Sequence, residues 1–209
     1  MPITAGMYYF ESVSNPTRPA VILIHGAGGN HLYWPPEMRR IKNQRIYSID
    51  LPGHGKSDLR ATSDMTPEIL SHIVRNSLLG AGIERFHIVS NSLGGWISLE
   101  LAASFPNSVQ SITALAPAGL WLKPRTHRNF QLSVNRYLAI ITSFQIRKLI
   151  NLKIMRRIGF SSVSPRWQSL SVETCLDAAL AMKAATGYFE IWDATLGNRF
   201  EKQITEKIP

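Results

Sequence analysis

The first half of the chain alternates short apolar runs with longer segments of helical periodicity. MYYFESV (7–13) reads as an early strand, and AVILIHG (20–26) is a continuous apolar run of the kind a strand buried on both faces shows, ending in glycines. RIYSID (45–50) repeats that pattern and is stopped by the turn chemistry of Leu51, Pro52 and Gly53. A helix is expected to start with Thr66 as N-cap, Pro67 at its first position and Glu68 near the positive end of its dipole. Its apolar positions Ile69, Leu70, Ile73, Val74 and Leu78 recur at helical spacing, and Gly80 and Gly82 end it. A short strand at 86–89, a helix at 93–105 and a strand at 111–116 (SITALA) complete an alternation that predicts an α/β fold, a mostly parallel twisted sheet with crossover helices.

From Ala118 onward the alternation gives way to helical patterns with basic residues interleaved among Leu132, Tyr137, Leu138, Ile141, Phe144, Leu149, Leu152, Met155 and Ile158. This predicts an inserted helical lid, broken at Gly159 and the following SSVSP, with a further helix at 172–185. The expected division is a core over 1–118, the lid over 119–203, and at 204–209 the start of a connection toward further core strands. No internal repeat or low-complexity tract interrupts this plan.

Charge changes the picture of the lid alone. The net charge is +9, yet residues 1–100 carry nine bases and eight acids, and residues 173–209 four bases and six acids. Residues 101–172 hold ten bases and no acid. Such a run is foremost a solvated face, and weak contact of this basic lid with an anionic membrane is the further expectation. No recognised nucleic-acid module accompanies the charge, so nucleic acid is not expected as a partner. The 209 residues contain no apolar run of spanning length and no signal-peptide pattern at MPITAGMYYF, which makes the cytoplasm the expected location. The single cysteine, Cys175, excludes an internal disulfide and reads as buried filler.

The candidate chemistry lies in three strand-end motifs. After the strand FHIV the chain reads Ser90-Asn91-Ser92-Leu93-Gly94-Gly95 and enters a helix. A serine on a sharp strand-to-helix turn needs small residues two before and two after it, and Ser92 meets this with Ser90 and Gly94. Together, HGAGG (25–29), DLPGHGKSD (50–58) and SNSLGGW (90–96) resemble the α/β-hydrolase superfamily in order and spacing. The resemblance implies Ser92 as nucleophile, the N–H groups of Ala27 and Leu93 as oxyanion hole, a pocket bordered by Gly28, Ala118 and Gly119, a small-molecule substrate, and no cofactor or metal. It also implies hydrolysis of an ester or similar carbonyl compound. A carbon–carbon bond hydrolase or lyase on the same scaffold is an alternative, as is a non-catalytic, receptor-like binding module. Dehalogenase and epoxide hydrolase chemistry are disfavoured, because those relatives use Asp where Ser92 stands. The HGAGG loop lacks the Lys-Ser/Thr ending of a phosphate loop and the G-x-G-x-x-G order of a dinucleotide site.

Two features depart from the family pattern. The first elbow glycine is Ser90, and no catalytic acid or histidine is found in the family's order after the lid. His25 and His54 sit in fold motifs, His72 and His87 in a helix and a strand, and His31 and His127 in loops; Pro117, Ala118 and Gly119 offer no carboxylate after SITALA. The chain is therefore expected to be truncated before its final strands, with SITALA as an apolar sheet edge completed by a further segment or another chain.

Overall fold

The structure, a computed structural model, describes residues 3–4, 6–128 and 130–209. Its strands are β1 (Ile3–Thr4), β2 (Met7–Val13), β3 (Ala20–Ile24), β4 (Arg45–Ile49), β5 (Phe86–Asn91) and β6 (Val109–Leu115). They form one sheet in the order β1-β2-β4-β3-β5-β6. β3 to β6 run parallel to one another, while β2 is antiparallel to both β1 and β4. The mostly parallel α/β sheet expected from the sequence is thus the one the chain adopts.

Helix α1 (Pro36–Arg39) lies between β3 and β4, α2 (Pro67–Gly80) joins β4 to β5, and α3 (Leu93–Ser104) joins β5 to β6. Strand period 2 decides which residues meet which layer. Ile22, Ile24, Tyr47, Ile49, Phe86 and Ile88 pack with Leu70, Val74 and Leu78 of α2 and with Ile97 and Leu101 of α3 in the main core. Each such aliphatic side chain contributes roughly 1.5–3 kcal/mol on burial. The intervening Leu23 and Ile46 face a smaller cluster with Trp34, in which Val21 and Val89 are half-buried. The start of α2 follows its sequence: Thr66 Oγ1 accepts the Ile69 N–H (3.3 Å) and Pro67 opens the helix. Gly82, at φ 72°, supplies the left-handed turn that stops it.

Beyond β6 the chain is helical, with α4 (Phe130–Ile141), α5 (Ile146–Leu149), α6 (Lys153–Phe160), α7 (Val172–Ala184) and α8 (Tyr188–Thr195). Gly159 is the penultimate residue of α6, which ends at Phe160 just before SSVSP, where the break was expected. The exposed positions include Leu122 (93%), Phe130 (81%), Ile141 (75%) and Phe144 (99%). α4 packs on α7, and buried Arg136 donates from Nη1 to the carbonyls of Met182 (2.6 Å) and Lys183 (2.7 Å). These charge-assisted bonds satisfy acceptors in the last turn of α7, where the helix dipole favours a cation. Cys175 is fully buried on α7. Among the described residues no helix is long and apolar enough to cross a membrane.

Both ends of the helical segment are tied together. Phe200 N–H donates to Gly119 O (3.0 Å), Gly197 N–H to Arg125 O (2.9 Å) and Trp121 Nε1 to Asn198 O (3.3 Å). A second tie is the close approach of Gly187 to Gly53, whose carbonyl accepts the Gly187 N–H (3.0 Å). On the outer edge of β6, expected as an apolar edge, Ile112 N–H donates to Pro209 O (2.9 Å), while Leu115 stays 46% exposed.

Candidate active site

Ser92 stands between the last residue of β5 and the first of α3 with φ 51° and ψ −114°, a region L-residues rarely occupy. Three backbone bonds impose it. Ser92 N–H donates to Leu115 O at the end of β6 (3.0 Å), and Ser92 O accepts the N–H groups of Trp96 (3.2 Å) and Ala118 (2.9 Å). The turn is tight enough that its neighbours must be small. A methyl group on Gly94 would overlap the Ile24 carbonyl and lie 2.7 Å from that of His25, and one on Gly95 would lie 2.7 Å from Pro117 Cα. Ser90 is fully buried at the position of the family's first elbow glycine. The Ser92 side chain does not cap α3, and its Oγ makes no hydrogen bond among the described residues, so the half-buried hydroxyl is left facing open space.

That space is a cavity of about 290 Å³. Ala27, Ser92 and Leu93 line one side, and Ala116, Pro117 and Ala118 from the end of β6 line another. Trp121 and Arg125 come from the segment before α4, and Ile191, Trp192 and Thr195 from α8. The N–H groups of Ala27 and Leu93 have no acceptor among the described residues. For Leu93 this follows from its place at the first position of a helix, where N–H groups lack intrahelical partners. Two donors and a free hydroxyl thus border one small, largely apolar cavity.

Ala27 is held in place by a pair of buried imidazoles. His25 Nδ1 donates to Gly26 O (2.7 Å), leaving Nε2 to accept the Leu51 N–H (3.2 Å). His54 Nδ1 donates to Pro52 O (2.9 Å), leaving Nε2 to accept the Gly28 N–H (3.1 Å). Each ring therefore joins the loop after β3 to the loop after β4, and each needs its neutral form to do so. Burial lowers the pKa of both, against the opposing pull of the Gly26 carbonyl on His25; with His25 nearby, His54 is pushed down to about 3. His31 is paired with Asp50, whose Oδ2 lies 2.9 Å from Nδ1. Burial works to raise the Asp50 carboxyl, but the bonds from His31 and from Lys56 N–H (2.8 Å) outweigh it and hold the group below the usual carboxylate range. A methyl group at Gly55 (φ 53°) would collide with this carboxylate, so the tight PGHG turn is a packing requirement. None of the described histidines reaches hydrogen-bonding distance of Ser92 Oγ.

Of the residues singled out in the sequence, Ser92, Ala27, Leu93 and Ala118 meet at the cavity. Gly28 and Gly119 are not among its lining residues. Gly28 (φ 80°) packs beneath Met182 and Tyr188, and Gly119 (φ 85°) lies flat on the Trp96 ring. Trp121, Arg125, Ile191, Trp192 and Thr195 carried no local motif. For the α8 residues a weak signal existed in the helical spacing of buried Tyr188, Ile191, Ala194 and Thr195, which turns one face of α8 inward.

Comparison with known proteins bears on the family and the fold. Residues 19–140 match the family model described as alpha/beta hydrolase fold. A protein of Escherichia coli O150:H5 (strain SE15) named "Putative carbamate hydrolase RutD" is 32% identical over 110 residues, covering 52% of this chain and 40% of that one. Its namesake from Shigella flexneri serotype X (strain 2002017) is 31% identical over 120 residues, 56% of this chain and 44% of that one. The alignments thus span less than half the length of these curated relatives. In fold, the chain superposes on a marine microorganism esterase with a TM-score of 0.60 at 16% identity, covering 97% of this chain and 78% of that one. A membrane phospholipase A, described as a bacterial virulence factor, gives 0.59 at 23% identity, covering 90% and 58%. With the family model matching more than half of its residues, and with the sheet order and elbow described above, the chain belongs to the alpha/beta hydrolase fold family.

Proposed function

We propose that the chain carries the nucleophile and oxyanion hole of a serine hydrolase that acts on an ester or similar carbonyl compound. One observation carries the reading: the uncapped hydroxyl of Ser92, held at positive φ, shares a cavity with the unpaired N–H groups of Ala27 and Leu93. Ser92 Oγ attacks the carbonyl carbon, and its proton passes to a general base. The carbonyl oxygen becomes an oxyanion that the two N–H groups stabilise, and the leaving alkoxide departs with a proton. Pre-aimed donors of this kind contribute about 2.7–4 kcal/mol each to the transition state. The helical segment over residues 119–203 serves as the lid that excludes water and selects substrate. The carbamate hydrolase, esterase and phospholipase names of its relatives support carbonyl hydrolysis as the shared chemistry.

His25, His31 and His54 do not serve as the base, because each is committed to a loop or to Asp50. Base assistance typically contributes about 100- to 10,000-fold, so a Ser92 hydroxyl without a base on it is expected to react slowly. The absence of a histidine on Ser92 Oγ among the described residues favours one second reading, a module that binds a carbonyl ligand without turnover. A fluorophosphonate probe separates the two. Labelling mapped to Ser92 and lost in Ser92→Ala supports the hydrolase; undiminished labelling of Ser92→Ala overturns it. Saturable binding of an ester with no labelling supports the second reading.

A further inference from the structure

The cavity beside Ser92 has one charged lining residue, Arg125, and no acid. Its other walls are apolar or aromatic apart from Ser92 and Thr195. The Arg125 guanidinium stacks over the Trp121 ring, 4.8 Å from its centroid, and makes no ion pair or side-chain hydrogen bond among the described residues. Two other arginines of the helical segment and its end are paired differently: Arg128 holds Asp193 through two bonds, and Arg199 holds Glu201. Arg125 is exposed to solvent on one side, lines the cavity on the other, and has no counter-charge among the described residues.

The platform beneath it is also fixed. Trp121 meets the buried Trp96 edge-on at 5.6 Å and donates from Nε1 to Asn198 O, and the Arg125 carbonyl accepts the Gly197 N–H. A guanidinium ordered on an aromatic face retains its fork of donors for a planar anion and has little rotamer freedom left to lose. At about 290 Å³ the cavity is at the small end of ligand sites, so the anion has to belong to the same small molecule that reaches Ser92.

We propose that Arg125 binds a carboxylate on the substrate, so that the preferred substrate class is a small ester or related carbonyl compound joined by a short apolar spacer to a free carboxylate. The hydrolase reading above supplies the carbonyl at Ser92; Arg125 supplies the specificity.

The test reads binding rather than turnover. Intrinsic fluorescence of the full chain, whose Trp121 and Trp192 line the cavity, is titrated with monomethyl glutarate and with its uncharged dimethyl ester. A charge-assisted pair of this kind corresponds to about 10- to 100-fold in affinity. The half-ester is expected to bind at least about tenfold more tightly than the diester, with the advantage shrinking as salt rises. Arg125→Gln is expected to abolish that ratio while leaving diester affinity within about twofold, and Arg125→Lys to restore part of it. Ser92→Ala retains the preference, so a failure of phosphonate labelling and a failure of this proposal are separate results. Equal affinities in the unaltered protein, a preference that survives Arg125→Gln, or no binding of either compound would overturn it.

Discussion

His25 and His54 brace the same two loops in opposite directions: His25, from the loop after β3, accepts the Leu51 N–H, and His54, from the loop after β4, accepts the Gly28 N–H. Their rings lie 5.3 Å apart, and Ala27 sits between the two attachment points on its loop. The brace works only while both imidazoles are neutral.

Stability should therefore fall with acid well above the carboxylate range. The unfolded chain gains protons on these histidines below their ordinary value of 6.5, whereas folded His54 resists until about 3. Between those values the unfolded state binds more protons, so stability is complete above about pH 6.5 and is lost as pH falls, by at most about 1.4 kcal/mol per pH unit for each histidine. Asp50, whose folded pKa is also lowered, acts in the same direction at lower pH. Denaturant midpoints across this window should slope upward with pH, and His54→Gln, which keeps an acceptor but cannot charge, should flatten the slope. A pH-independent midpoint would contradict the neutral brace.

Two glycines make opposite predictions. Gly94→Ala forces a methyl group onto the Ile24 and His25 carbonyls, which are backbone atoms of a central strand and the loop leaving it, and should cost about 2–4 kcal/mol. Gly159, inside α6 with nothing near its missing Cβ, should gain roughly 0.5–1 kcal/mol on replacement by Ala. Equilibrium unfolding of the two variants checks both signs.

Backbone strain at Ser92 is separable from its chemistry. A non-glycine residue at φ 51° and ψ −114° costs on the order of 1–3 kcal/mol, partly offset in a glycine variant by the greater freedom of its unfolded chain. Ser92→Gly should raise stability by about 1 kcal/mol and Ser92→Ala should leave it within about 0.5 kcal/mol, while both lose phosphonate labelling. If Ser92→Gly proved less stable than Ser92→Ala, the strain would lie elsewhere.

Arg136 is the fastening of the helical segment. Removing its guanidinium in Arg136→Met strands the Met182 and Lys183 carbonyls and should cost about 1.5–3 kcal/mol. Hydrogen exchange should speed up across α7 and α4 with little change in β3 to β5. Uniform acceleration throughout would mean that the segment unfolds together with the sheet.

Much of the sheet was legible because its signals are local. β2 coincides with the MYYFESV run, and Thr66, Pro67 and Glu68 mark the start of α2 through capping and dipole effects that act within one turn. β1, α1 and α8 were not foreseen. β1 and α1, two and four residues long, are too short for periodicity to register, and the eight-residue α8 shows only a weak helical spacing. The break expected at Gly159 and SSVSP falls within one residue of the end of α6 at Phe160, because loop-forming residues act locally.

The candidate site divides along the same line. Sequence alone determined the elbow, because small residues around Ser92 and glycines in HGAGG and PGHG are demands of backbone geometry within a few residues. Only the tertiary structure decided that both loop histidines are braces, that Gly28 and Gly119 serve packing, and that Arg125 and Trp192 join Ser92 at one cavity. Those placements depend on β6, the stem contacts at Gly197 and Phe200, and the docking of α8, each of which joins residues far apart in the chain. Strain and capping are written in neighbouring residues; a cavity is made by chain closure, and its lining carries no mark in the sequence until the closure is known.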